Sequence, residues 1–144
     1  MNSYLKLASG LSALILFTSC QSAHLHKIIA PEKLITQEHW SQEELSRDIS
    51  IHTLKTTPEA SYHLILLHGF EKPHTHNEHD LVVFVLKGKS QVVMADKTFE
   101  VKAGDVVEIP RGVVHWAKNL DPVATEVYAV FTPPFDGKDH QVVN

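Results

Sequence analysis

The chain has 144 residues, of which 43% are hydrophobic and 21% are charged, a length and composition that suit one globular domain and exclude long solenoids and multidomain assemblies. Its 13 basic and 17 acidic residues give a formal net charge of −4, so the chain lacks the positive surface that binds nucleic acid. Histidine is frequent, with 11 in all. Four histidines lie close together in the chain and indicate a metal site: His68, His74, His76 and His79.

Residues 1–19 have the pattern of a secretory signal peptide. A short polar start that contains Lys6 is followed by an apolar stretch over residues 7–17, which is too short to span a bilayer. The single cysteine, Cys20, follows the segment directly. A chain with one cysteine can form neither an intramolecular disulfide nor a cysteine-rich zinc site.

The run Leu16-Phe17-Thr18-Ser19-Cys20 resembles the lipobox of bacterial lipoproteins, in which the cysteine is lipidated, for example with palmitate, and becomes the mature N-terminus. The resemblance implies a lipoprotein that is exported to the bacterial cell envelope and attached to a membrane on the periplasmic side. The alternative is a signal peptide that is cleaved elsewhere, which would leave a soluble protein with a stray cysteine. In both cases the fold begins after residue 20.

Residues 20–48 are predicted to precede the main domain as an N-terminal tether with a short helix or an edge strand. The stretch up to about Leu34 has no clear hydrophobic period and suits a tether or an edge strand. Ser41 and Glu44 have the spacing of a capping box, which satisfies the free amides at a helix start. This spacing predicts a short helical turn near residues 41–47, with an ordinary polar loop as the alternative.

Short apolar runs separated by turn residues begin at Ile49, and none has a helical period. Residues 81–86 are apolar on both faces, so a second sheet is expected to cover them. Eight short strands in roughly 85 residues predict an all-β jelly-roll barrel, with an immunoglobulin-like sandwich as the competitor. The predicted strands are residues 49–55, 62–68, 81–86, 90–95, 98–101, 106–109, 113–118 and 126–131.

His74 and His76 are two residues apart, so in an extended strand their imidazoles point to the same face. His115 has apolar neighbours and is expected to point into the interior. Asp80 lies four residues after His76 and could supply a carboxylate. Three imidazoles and a carboxylate suit a divalent first-row metal with one or two positions open to water or substrate. Any one of these histidines alone would more often be an ordinary surface or core residue.

Residues 104–119 resemble the second motif of the cupin superfamily at every defined position, namely Gly104, Pro110, Gly112, His115 and Asn119. Gly112 is expected to adopt a positive φ, and Pro110 to end a strand. Residues 69–88 resemble the first cupin motif, with His74, His76 and the closing Gly88 in place. The resemblance covers residues 49–135, which would form the barrel of a small single-domain cupin, with residues 136–144 as a C-terminal tail.

The resemblance implies that His74, His76 and His115 hold a metal ion. In the family a glutamate is the fourth ligand, and Asp80 stands near its expected place, one residue further from the closing glycine than the pattern requires. Because aspartate is one methylene shorter than glutamate, Asp80 would reach the ion only where the backbone bulges inward. Glu78 or His79 could take its place as the fourth ligand.

Cupins share a barrel and not a reaction, so the resemblance implies a metal-holding pocket and leaves the substrate open. One hypothesis is a small dioxygenase or isomerase that uses iron, manganese, nickel, copper or zinc and acts on a small polar or aromatic molecule. The other is an exported lipoprotein that binds a metal or small ligand without catalysis. No catalytic residue is assigned, although Tyr62, His63 and Trp116 could line the pocket. The resemblance also implies a homodimer that covers exposed sheet edges.

Overall fold

The computed structural model describes residues 26–31, 33–35 and 39–143. The predicted signal peptide and Cys20 lie outside these residues. Within the described ranges, no helix is long and apolar enough to cross a membrane.

The chain divides into two compact units, Met1–Thr36 and Gln37–Asn144. In the described part of the first unit, β1 (Ile28–Ala30) and β2 (Lys33–Ile35) pair in antiparallel fashion as a hairpin. This hairpin occupies the stretch for which the sequence indicated a tether or an edge strand.

The second unit contains one short helix, α1 (Gln42–Leu45), which confirms the predicted helical turn. Ser41 is its N-cap, and both hydrogen bonds of the capping box with Glu44 are present. The strands of this unit are β3 (Ile49–Thr56), β4 (Ser61–Leu67), β5 (His74–Thr75), β6 (Asp80–Lys87), β7 (Lys89–Met94), β8 (Lys97–Lys102), β9 (Val106–Ile109), β10 (His115–Asn119), β11 (Thr125–Thr132) and β12 (Gln141–Val142).

These strands form two five-stranded sheets. One has the order β3-β4-β11-β6-β9 and the other has the order β12-β5-β10-β7-β8, and neighbouring strands are antiparallel throughout. From β4 onward the chain passes repeatedly from one sheet to the other, which is a jelly-roll arrangement. The all-β jelly-roll prediction is confirmed. A homodimer at the outer strands of these sheets stays a prediction.

The apolar runs of the sequence supply the core between the two sheets. Alternation along β6 points Leu81 and Val85 inward, where they are buried, while Phe84 on the opposite face is 40% exposed. The second sheet therefore covers one face of the run that is apolar on both faces. The buried core consists of Leu81, Val85, Val92, Val101, Val107, Ile109, Ala129 and Phe131.

Candidate metal centre

Three of the predicted ligands come together where β5 meets β10. His74 lies in β5 directly opposite His115, the first residue of β10, and His76 follows β5 by one residue. Each of the three offers one ligand atom, and these atoms all lie within 4.8 Å of one another. All three side chains are buried, with 3% to 5% of their surface exposed. We call His74, His76 and His115 the histidine cluster.

Each imidazole of the histidine cluster is oriented by a backbone carbonyl. Because a carbonyl oxygen only accepts hydrogen bonds, the Nδ1 atom of each ring must carry the proton and donate it. The Nε2 atoms therefore keep their free lone pairs, which is the form in which imidazole binds a metal. The acceptors are the carbonyl oxygens of Lys72 for His74 (2.8 Å), of Val113 for His115 (2.9 Å) and of Asp139 for His76.

Burial also favours the neutral form of the three rings. It lowers the pKa of His74 to about 4 and lowers the pKa values of His76 and His115, in each case against the opposing effect of the hydrogen bond to the carbonyl. Three neutral imidazoles in one place are a donor set that suits divalent zinc, copper, iron or nickel. The residues present therefore fit a transition-metal ion.

A glycine turn fixes the backbone between the two motifs. Gly112 has a φ of +76°, a conformation that side chains resist, as the sequence predicts. Its N–H donates to the carbonyl oxygen of His76 at 2.7 Å. The turn that leads into β10 therefore also holds the backbone of a second member of the histidine cluster.

The structure does not bring Asp80 together with the histidine cluster. Its carboxylate accepts hydrogen bonds from the backbone N–H of Arg111 at 3.0 Å and from the Arg111 guanidinium, and about half of its side chain is exposed. These hydrogen bonds lower the pKa of Asp80 to about 2. The physical reason is strand register, because Asp80 and Leu81 point to opposite faces of β6 and it is Leu81 that lines the interior.

Neither alternative fourth ligand joins the histidine cluster. Glu78 is exposed. His79 is buried, but its Nδ1 lies 2.7 Å from the Asp139 carboxylate and its Nε2 lies 3.3 Å from the carbonyl oxygen of Pro134. Both ring nitrogens of His79 are therefore engaged away from the cluster.

The C-terminal segment contributes residues that the sequence analysis missed. The buried carboxylate of Asp139 accepts hydrogen bonds from the backbone N–H groups of Asn77 (2.9 Å) and Glu78 (2.8 Å). The ring of His140 stacks on His74 with 4.1 Å between centroids, and β12 pairs with β5. No local pattern marks these residues, because their partners lie about 60 positions earlier in the chain.

A cavity of about 190 Å³ opens beside the histidine cluster, between the two sheets. Its walls are mainly aliphatic side chains from both sheets. Trp116 lines it, whereas Tyr62 and His63, also considered from the sequence, do not. An apolar cavity of about 150 Å³ holds a benzene molecule, so this one has room for a single ring or a short chain. The polar residues on its wall are Glu71, His74, His76, Ser90, His115, Thr125 and His140.

Comparison with known proteins gives one family and one fold. The model of the family described as "Cupin domain" matches residues 64–131. An uncharacterized protein of Aquifex aeolicus is 37% identical over 108 residues, which are 75% of this chain and 85% of that protein. The solved structure of KdgF from Halomonas sp. is 25% identical, with a TM-score of 0.58 over 62% of this chain and 82% of that chain. Streptomyces PAC13, solved with uridine, shares the fold alone, at 14% identity and a TM-score of 0.59 over 76% of this chain and 93% of that chain.

Proposed function

Since this chain belongs to the cupin superfamily, we propose that it is a small metal-dependent enzyme of the dioxygenase or isomerase type. His74, His76 and His115 hold one divalent first-row transition metal ion, and the cavity beside them holds the small molecule on which the enzyme acts. The observation that carries the proposal is that three buried, neutral imidazoles converge at the wall of an apolar cavity.

Three protein ligands leave coordination positions open, which is the arrangement of catalytic rather than structural metal sites. When bound, the ion would supply Lewis acidity or, for iron, manganese, nickel and copper, redox chemistry with oxygen. The chain's own residues orient the metal ligands and exclude water from the cavity. The three carbonyl acceptors fix the imidazole rings, and the aliphatic walls keep water away from the bound molecule, which strengthens polar contacts inside the cavity.

Metal analysis tests this proposal. Protein without a histidine tag is purified in the presence of iron, manganese, nickel, copper and zinc, and its bound metal is measured at neutral pH. Wild type should carry close to one equivalent, and His76→Ala and His115→Ala should each carry less than about a tenth, because each loses a neutral imidazole ligand. Asp80→Ala is the matched control and should keep the metal, since its carboxylate pairs with Arg111.

Two results would contradict the proposal. Wild type with less than about a tenth of an equivalent of every metal has no metal site. The second result is a metal-loaded protein that binds small molecules of the cavity's size but converts none of them. Such a protein would be a non-catalytic ligand-binding protein and not an enzyme.

We also propose that the protein is an exported lipoprotein anchored to a membrane through Cys20, on the support of the lipobox-like run at residues 16–20. Wild type should then partition into detergent, because an acyl chain adds about 0.8 kcal/mol per buried methylene. Cys20→Ser should be released into the aqueous phase or stay unprocessed. Water-soluble wild-type protein whose N-terminus lies away from Cys20 would overturn the lipoprotein proposal.

A further inference from the structure

Glu71 is the only carboxylate among the described residues on the wall of the cavity. Its Oε2 accepts a hydrogen bond from the backbone N–H of Ala117 at 3.0 Å, and its own N–H donates to the carbonyl oxygen of Ala117 at 2.8 Å. Both contacts tie Glu71 to β10, so its side chain is held in one place.

The second carboxylate oxygen of Glu71 is free to meet a ligand. Within the described part of the chain, the Oε1 atom of Glu71 has no hydrogen-bond partner. Every fully buried side-chain oxygen in that part of the chain does have a hydrogen-bond partner. The Oε1 atom is therefore accessible. Ser90 and Thr125, which are neutral polar residues on the same wall, differ from Glu71 because they bond to each other: the Ser90 hydroxyl donates to the Thr125 hydroxyl at 2.9 Å.

An ionised carboxylate is poorly solvated in these surroundings. Burial raises the pKa of Glu71 to about 7, although the Ala117 N–H acts in the opposite direction. A group that water solvates poorly gains more from a hydrogen-bond donor brought by a ligand. Ligand cavities with mainly apolar walls use such single polar groups to orient what they bind.

The position of Glu71 relative to the histidine cluster sets the size of the ligand. Ala117 lies two residues beyond His115 on the same face of β10, a step of about 6.5 Å along the strand. A single ring with one substituent has this length, and the cavity of about 190 Å³ has room for it.

We propose that Glu71 is the ligand-recognition residue of the cavity, and that its Oε1 accepts a hydrogen bond from a hydroxyl or ammonium group of a small, otherwise apolar molecule that extends toward the histidine cluster. This inference rests on the proposed function, because the molecule it describes is the one offered to the metal. It narrows the substrate class to monocyclic or short-chain molecules with a hydrogen-bond donor at the end away from the metal.

The substitution Glu71→Gln separates recognition from a purely structural role. Only the amide oxygen of glutamine can accept the hydrogen bond from Ala117, which turns the amide NH₂ toward the cavity. The contact with β10 is kept, while an acceptor in the cavity becomes a donor. Glu59→Gln, in the exposed loop between β3 and β4, is the matched control for the same change of charge outside the cavity.

The probes are benzylamine, benzyl alcohol and ethylbenzene, which share one shape and end in an ammonium, a hydroxyl and a methyl group. Calorimetric titration at about pH 8 keeps Glu71 and benzylamine mainly ionised. The metal content of each sample is measured first, and only samples of equal metal content are compared. Wild type and Glu59→Gln should bind one or both donor probes at least about tenfold more tightly than ethylbenzene, and Glu71→Gln should lose this preference for the ammonium. The preferred donor probe distinguishes an alcohol from an amine as the ligand class.

Three outcomes overturn the inference: wild type binds none of the probes, wild type does not distinguish them, or Glu71→Gln keeps the wild-type preference for the ammonium. In the last case Glu71 only fixes the backbone at Ala117, because an ammonium cannot accept a hydrogen bond from the glutamine NH₂. Failure of the proposed function looks different. A protein without metal that still prefers the donor probes would contradict the metal-dependent enzyme and leave recognition by Glu71 in place. Since wild type and Glu71→Gln are compared at equal metal content, contact of the amine with the metal cancels between them.

Discussion

The imidazoles of the histidine cluster are held by neutral carbonyl groups and not by carboxylates. No carboxylate of the described residues joins them as a ligand either, because Asp80 pairs with Arg111. The charge of a divalent ion in this cluster would not be offset by its protein ligands, because all three imidazoles are neutral. We therefore expect its open positions to favour anionic or strongly polar oxygen atoms of water or substrate.

Glu71 should make stability depend on pH. Its pKa is raised from 4.5 to about 7 in the folded protein, so between these values the carboxyl is ionised in the unfolded chain and protonated in the folded one. The unfolded state is favoured as pH rises through this window, and the loss of stability is complete above about pH 7. Below pH 4.5 both states are protonated and Glu71 contributes nothing.

Urea unfolding at a series of pH values checks this expectation. Glutamine does not titrate, so the free energy of unfolding of Glu71→Gln should exceed that of wild type by a margin that grows between about pH 5 and pH 7 and reaches roughly 1 to 3 kcal/mol. A difference between the two proteins that stays constant over the series would show that the carboxyl titrates normally.

At the scale of elements, eight strands could be predicted because each combines an apolar run with a turn at its end. The predicted bounds differ from the observed ones by at most two residues, as with residues 113–118 and the strand β10 (His115–Asn119). The strands β5 and β12 could not be predicted. Each strand has only two residues. They are strands only because β12 pairs with β5 and β5 pairs with β10.

The residues of the candidate site also divide into those that a local sequence pattern predicts and those that depend on the folded structure. His74 and His76 could be paired from their spacing and His115 from its apolar neighbours, which are local patterns. The direction of the Asp80 side chain depends on strand register, because a shift of one residue turns a side chain to the other face of a sheet. The contribution of Asp139 requires that the end of the chain returns to the first histidine motif, which no local pattern contains. Glu71 looks like an ordinary charged residue until the cavity wall is formed.

For the whole molecule, the buried apolar core and the histidine cluster are separate sets of residues. The core supplies the hydrophobic stabilisation of the two sheets without any ion. An ion that binds only the folded state adds stability by mass action, and at a free concentration of about 100 times its Kd the gain is about 2.7 kcal/mol. For a unit of this size that corresponds to a rise in Tm of roughly 10 to 15 °C.

Thermal unfolding with zinc and with a chelator tests this separation of core and site. Chelated wild type should unfold in one cooperative transition, and zinc should raise its Tm by the amount above. His115→Ala should fold but show no rise, because it keeps the core and loses a ligand. His68→Ala is the control, since His68 is exposed and outside the histidine cluster, and it should respond to zinc as wild type does. An unfolded chelated protein would mean that the two sheets need the ion, and an equal rise in His115→Ala would mean that zinc binds at another place.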